Sequence, residues 1–147
     1  MIQTDSGKYA VRAMAYIAAR EDPSEPISAA EVAEAESIPP YYLAKVLQDL
    51  ARAGILGSVR GRGGGFRMLQ SAGKIHVLDV LDAVENVKRL TEECVLGLDS
   101  CSDEVPCPMH TTWKAFRELM LSRLEKMTVA DLALELERKR RYLSHKA

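Results

Sequence analysis

Pro39-Pro-Tyr-Tyr-Leu-Ala-Lys-Val-Leu-Gln-Asp-Leu-Ala-Arg-Ala-Gly54 runs directly into Ile55-Leu-Gly-Ser-Val59, Arg60-Gly-Arg-Gly-Gly-Gly65 and Phe66-Arg-Met-Leu69. The two prolines suit a first helical turn, where a missing N–H is no loss. Leu43, Val46, Leu47, Leu50 and Ala51 then repeat at helical spacing, and Gly54 supplies the stop. The opposite face presents Tyr41, Lys45, Gln48 and Arg52, a stripe of long polar groups able to reach base edges and phosphates. The two runs that follow are β-like, and the glycines between them permit a tight turn and close backbone approach.

Upstream, Ala10, Ala13, Met14, Ile17 and Ala18 fall on one helical face, which predicts an amphipathic helix from about Asp5 to Arg20. Pro23 and Pro26 mark a loop. Ser28 with Glu31 forms a capping box, and Ile27 with Val32 a hydrophobic staple, so a short second helix starts there and ends near Ala35. Helix, short helix, helix, hairpin is the winged helix-turn-helix plan. The fold is therefore expected to be mainly α, with the third helix suited to the major groove and a small β-hairpin wing lying along the phosphate backbone. Arg60 and Arg62 are the wing's candidates for the adjacent minor groove.

Downstream the pattern is helical again. Val77 to Glu85 reads as a short amphipathic helix, and a cysteine-bearing loop follows, over about residues 88–110. From Pro108 a longer helix carries Trp113, Phe116, Met120, Leu124 and Met127, widened by Leu119 and Leu121. A helix this apolar needs more than one surface to bury it, which is why we read it as a dimerisation helix. Thr128 with Asp131, and Met127 with Leu132, repeat the box and staple at the start of a last helix running towards Arg141. Residues 1–75 are thus expected to form the DNA-binding head, and 76–147 the cysteine loop and dimerisation helices.

Of the 147 residues 47% are hydrophobic and 28% charged, an ordinary globular mix, and no run approaches the roughly 18 apolar residues of a membrane span. No secretory signal opens the chain, so a reducing cytoplasmic setting is expected. The net charge of -1 conceals a local imbalance. Between Tyr41 and Lys74, Lys45, Arg52, Arg60, Arg62, Arg67 and Lys74 face Asp49 alone, the electrostatic footprint of a polyanion binder. Just before them Glu21, Asp22, Glu25, Glu31, Glu34 and Glu36 stand without a basic residue, which confines contact with DNA to one surface.

All three cysteines lie in the second half, Cys94, Cys101 and Cys107, with His110 three residues beyond. An odd count at close spacing in a reducing compartment points to metal ligands or a redox thiol in preference to disulfides. With Pro108 expected at the first helical position, Cys107 would lie near the N-cap and His110 one turn on, and the helix N-terminus would favour a thiolate at Cys107. Three cysteines and a histidine can hold a 2Fe-2S cluster, a 4Fe-4S cluster or zinc. Zinc is the poorer match, because only Cys107 and His110 make a tight pair. A thiol enzyme is disfavoured, since no Cys-x-x-Cys pair exists and His110 is the sole base near the thiols. The glycine run lacks the Gly-Lys-Ser/Thr ending of a phosphate loop. Arg138-Lys-Arg-Arg141 reads as the solvated end of the last helix, and nothing is assigned to His76 or His145.

Ser6-Gly-Lys-Tyr-Ala-Val-Arg-Ala-Met14, Tyr42-Leu43, Val59-Arg-Gly-Arg-Gly-Gly-Gly-Phe66, the three cysteines and Met127-Thr-Val-Ala-Asp-Leu132 together resemble the bacterial IscR/NsrR-type winged-helix regulators over nearly the whole chain. The resemblance implies a homodimeric transcription factor on a double-stranded DNA operator, in a family where many members sense iron-sulfur status, nitric oxide, iron or redox state. It implies Tyr41 and Ala44 at the start of the recognition helix, Arg60 on the wing, and Cys94, Cys101 and Cys107 as ligands. His110 matches the fourth ligand of the IscR branch, which sets 2Fe-2S ahead of 4Fe-4S. Asp5 is a rival, because some NsrR-like members take a ligand near this position across the dimer. Two departures stand out: the first cysteine gap spans six residues where the best-known branches have five, and Ala44 replaces an IscR-like glutamate that tunes DNA choice. Because other members lack a cluster, the alternative is a cluster-free regulator answering thiol oxidation, zinc or a small ligand.

Overall fold

Small residues on one face of the first helix let four other helices approach it closely. In the computed structural model, which describes residues 4–146 apart from the side chains of Lys88 and Leu90, α1 (Asp5–Ala18) packs against α2 (Ala29–Glu36), α3 (Pro40–Arg52), α4 (Val77–Val84) and α7 (Val129–Ser144). Ala10, Ala13, Met14 and Ile17 of α1 are wholly buried, and Leu43, Leu47 and Leu50 of α3 meet them. Val80 and Val129, from the second half of the sequence, complete the same core.

The turn between α2 and α3 is tight for local reasons. Ser37 takes a left-handed φ of 51°, and the Ile38 N–H reaches back 2.9 Å to the Ala33 carbonyl, closing α2. Pro39 and Pro40 then start α3 at once. Ser28 caps α2 as expected, its hydroxyl accepting from the Glu31 N–H. After α3, β1 (Leu56–Val59) and β2 (Gly65–Met68) pair antiparallel, Leu56 opposite Met68 and Val59 opposite Gly65. Ile27 and Phe66 exchange two backbone hydrogen bonds of 2.8 Å, so the loop before α2 lies beside β2 as a one-residue third strand of the wing. Gly65 makes this possible. Its φ is +143°, and a β-carbon there would stand 2.1 Å from the Ile27 carbonyl oxygen.

A single 3-10 turn, Ala72–Lys74, leads into α4. The starts of α4 and α7 are tied by a short antiparallel bridge, Val77 N–H to the Met127 carbonyl at 2.9 Å and Val129 N–H to the Ile75 carbonyl at 2.8 Å. His76 and Thr128 stand opposite each other in that bridge, and each forms a capping box, with Asp79 and Asp131 respectively. Two expectations are corrected. Part of the stretch read as loop is helical, α5 (Val87–Glu92), and α6 (His110–Lys126) begins at His110 with Pro108 and Met109 in the preceding turn. No helix among the described residues is long and apolar enough to cross a membrane.

Within the described chain α6 is only partly covered. It packs on α4, yet only His110 and Leu124 of its residues are buried, while Phe116 and Leu119 face outward. Trp113 and Phe116 stack at 5.7 Å between ring centroids. A groove between α6 and α7 is lined by Met127, Leu132, Leu134 and Leu136 with Arg123 and Lys139 at its edges.

Candidate functional site

The first surface is built on α3 and the wing. Leu43, Val46, Leu47 and Leu50 are consumed by the core, which turns Tyr41, Lys45, Gln48 and Arg52 outward, and Ala44 lies half-buried among them. Tyr41 is 89% exposed at the helix start, although its ring is large and apolar. Its neighbour Tyr42 instead meets Tyr9 edge-on at 5.4 Å and comes within 3.3 Å of the Ser6 hydroxyl, so it braces α3 against α1. Arg52 is already paired with Asp49 at 2.8 Å, and a phosphate contact would have to draw it from that partner. Arg60 and Arg62 both stand exposed at the tip of the hairpin. A protruding helix with long polar side chains beside a basic hairpin is the geometry that reads a groove while gripping its backbone.

The second feature is a cavity of about 480 Å³ lined by Cys94, Cys101, Cys107 and His110, with Leu98, Val105, Pro106 and Pro108 among its apolar walls. Backbone pairing assembles it. Glu93 and Ser100 form an antiparallel bridge, the Cys94 N–H donates to the Asp99 carbonyl at 3.0 Å, and the Cys101 N–H donates to Glu92 at 2.8 Å. Residues 93–100 therefore make a miniature hairpin whose base sets the first two cysteines side by side, with Gly97 at φ 71° in its turn. The His110 N–H donates 2.9 Å to the Cys107 carbonyl, which brings the third cysteine and the histidine to the same place.

The thiols are not equivalent. Amide N–H groups of Leu96 and Leu98 and the Cys107 thiol are directed at the Cys94 sulfur and hold its pKa below the ordinary thiol value, against burial. Burial pushes the Cys107 thiol up instead, and this outweighs the Met109 N–H that points at it. The expected thiolate bias at Cys107 is thereby corrected: the Met109 N–H at the start of α6 does point at that sulfur, but burial and the neighbouring Cys94 thiol outweigh it. All three cysteines are free.

His110 is 7% exposed and gripped at both ring nitrogens, Nδ1 standing 3.3 Å from the Cys101 sulfur and Nε2 2.7 Å from Asp103 Oδ1. The Lys114 ammonium contacts both Asp103 oxygens, at 3.0 and 2.7 Å, and, together with the His110 ring, keeps that carboxyl below the usual carboxylate range. The same carboxylate raises the pKa of Lys114. Nothing in the sequence pattern singled out Asp103 or Lys114, though Lys114 follows His110 by one helical turn. Asp5 is not part of the cavity wall; it sits at the start of α1, 3.7 Å from Lys8.

Among the described residues no three His, Cys, Asp or Glu side chains converge closely enough to hold one metal ion. An iron-sulfur cluster sets its ligands farther apart, around several atoms, and is held by thiolates with amide N–H groups directed at the sulfurs. Three free thiols, one imidazole, apolar walls and amides aimed at Cys94 fit such a group.

A winged helix-turn-helix head with a helix pair beyond it is the architecture of a DNA-binding transcription regulator. The chain belongs to the Rrf2 family, described as iron-dependent transcriptional regulators, whose family model matches residues 3–135. It is 33% identical over 134 residues to the HTH-type transcriptional regulator IscR of Vibrio atlanticus, covering 91% of this chain and 76% of that one. Among solved structures, IscR of T. potens superposes with a TM-score of 0.69 at 24% identity, covering 92% and 88% of the two chains. CymR, the global cysteine regulator of B. subtilis, gives 0.70 at 23% identity, covering 90% and 95%.

Proposed function

We propose that this protein is a dimeric, cytoplasmic transcription regulator that senses redox, iron or nitric oxide status through an iron-sulfur cluster held by Cys94, Cys101, Cys107 and His110. The observation that carries the reading is the gathering of three free thiols and one buried imidazole around a single cavity at the N-terminal end of α6. When bound, the cluster supplies one-electron redox chemistry and reactivity towards oxidants and nitric oxide. A 2Fe-2S cluster is the form assigned first, because one of the four donors is an imidazole.

The residues' own part is mechanical and electrostatic. Residues 93–110 lead straight into α6; α6 packs on α4, and α4 packs on both α1 and α3. A change of order in the loop would shift the start of α6 and so the spacing of two recognition helices in a dimer. The outward apolar residues Phe116 and Leu119 of α6, with the groove beside α7, support a second copy as the occupant. In each copy residues 1–75 would grip DNA, with Tyr41, Ala44, Lys45 and Gln48 towards bases and Arg52, Arg60 and Arg62 towards phosphates and the minor groove.

The test is the visible spectrum and iron content of protein purified without oxygen, followed by titration onto a duplex selected from random sequence. Brown, iron-containing protein whose affinity for that duplex changes on cluster loss is expected. Colourless, iron-free protein that still binds DNA would defeat the cluster and leave a thiol switch. That second reading has its own support, since Cys94 and Cys107 are both free thiols on the wall of one cavity.

A further inference from the structure

The geometry points to Asp103 and Lys114 as positioning residues that present His110 Nδ1, and not Nε2, to the thiol cavity as the fourth ligand atom. The inference deepens the cluster reading above and rests on it for the word ligand, but the orientation of the ring stands by itself.

It follows from counting donors. A lysine ammonium has three N–H donors and no acceptor. Lys114 contacts both Asp103 oxygens, at 3.0 and 2.7 Å, so the group between the lysine and the histidine is a carboxylate with no proton to give. His110 Nε2, 2.7 Å from Asp103 Oδ1, must then be the nitrogen that carries hydrogen. In a neutral imidazole the lone pair is left on Nδ1, the atom 3.3 Å from the Cys101 sulfur. Metal-ligating histidines are oriented in this way, the far N–H held by a carboxylate that fixes the tautomer and raises the basicity of the near nitrogen.

The origin of the three residues gives the arrangement a further role. Asp103 belongs to the segment between the second and third cysteines, whereas His110 and Lys114 stand one turn apart on α6. The carboxylate therefore fastens the loop to the helix at the point where a ligand on the helix meets ligands on the loop.

The experiment has two arms. In metal-free, reduced protein labelled with 15N-histidine at about pH 8.5, above the ordinary histidine range, long-range 1H–15N correlation reads the tautomer. The His110→Gln spectrum assigns the signal. Wild type should show hydrogen on Nε2; Asp103→Ala should show a mixture; Asp103→Asn, whose carbonyl oxygen still accepts, should restore Nε2–H. Hydrogen on Nδ1 in wild type, or an unchanged tautomer in Asp103→Ala, overturns the positioning role.

In the second arm the proteins are reconstituted anaerobically with ferrous iron and sulfide. Selective 15N labelling of Nδ1 should give hyperfine coupling to the reduced cluster, and Asp103→Ala should lose iron to a chelator about 10- to 100-fold faster, with Asp103→Asn less affected. Coupling to Nε2, or iron bound without histidine coupling, overturns the ligand assignment. Failure of every protein to take up iron defeats the cluster reading instead, and the tautomer measurement still decides what Asp103 does.

Discussion

Arg140, near the end of α7, places its Nη2 2.8 and 2.7 Å from the two carboxylate oxygens of Glu36, in α2, across 104 residues of sequence. Glu36 is 3% exposed, and Arg12 of α1 meets the same carboxylate at 3.3 Å and the Glu36 carbonyl as well. One buried acid thus joins the first helix, the helix before the recognition helix and the C-terminal helix. Truncating Glu36 to alanine removes the shared partner and leaves a void, and should lower unfolding stability by about 2 to 3 kcal/mol. Arg140→Ala should lower it by only about 1 kcal/mol, because Arg12 remains and Arg140 is half in water. Urea unfolding measures both; equal midpoints for all three proteins would refute the link.

The wing offers a test of the DNA surface. Arg60→Ala should weaken binding to the selected duplex by about 1 to 3 kcal/mol if its guanidinium enters the groove, whereas Arg62→Ala should reduce the salt slope by about one if it meets a phosphate. Fluorescence anisotropy at several salt concentrations separates the two. Superimposable titrations for Arg60→Ala and wild type would remove Arg60 from the interface.

Gly65→Ala should damage the same wing from within. The new β-carbon would press on the Ile27 carbonyl at a φ of +143°, so a loss of about 1 to 3 kcal/mol is expected, with weakened DNA binding. A thermal midpoint and affinity both equal to wild type would show that the Ile27–Phe66 rung is dispensable.

Cys101→Ala tests the coupling of loop to head. In anaerobic protein the substitution should change affinity for the selected duplex and abolish the difference between iron-loaded and iron-free forms. If the affinities of wild type and variant agree in both forms, the loop does not signal to the head.

Acid sensitivity of α7 follows from Asp131. Backbone and hydroxyl donors of Thr128 hold its carboxyl below the usual carboxylate range. A pKa lower in the folded than in the unfolded chain stabilises the fold fully at neutral pH, and this contribution is lost as pH falls from about 4 through the folded value. Asp131→Asn should therefore flatten the fall of the thermal midpoint between about pH 6 and pH 3. Parallel curves would contradict the assignment.

Much of the fold was legible in the sequence, because its signals are local. The Leu43 to Leu50 spacing, the Ser28 and Thr128 caps and the glycine-rich turn each act within a few residues, and each stands where expected. The misses are of the opposite kind. Proline at 108 suits a first helical turn, yet Met109 takes φ −97° and ψ 0° and its N–H turns to the Cys107 sulfur, delaying α6 to His110. α5 has no side-chain cap, so neither cap nor periodicity announced it. Arg140 looked like one more solvated cation in a basic run; only the fold supplies Glu36. The cysteines and His110 were readable as a group from their types and spacing, but the tie from His110 through Asp103 to Lys114 depends on how the loop closes on α6.

The Glu93–Ser100 bridge carries a lesson about length. Cys94 and Cys101 are neighbours because they flank the closed base of a hairpin, so the number of residues between them counts only the rise and return of its tip around Gly97. A residue inserted or lost at that tip would leave the bridge at the base in place, but it would change which amides reach the Cys94 sulfur and how Leu98 walls the cavity. The interval between the two cysteines is, in this light, a closed finger whose base places two thiols and whose tip supplies amides and an apolar wall around them, so its length bears on the thiols' surroundings more than on their spacing.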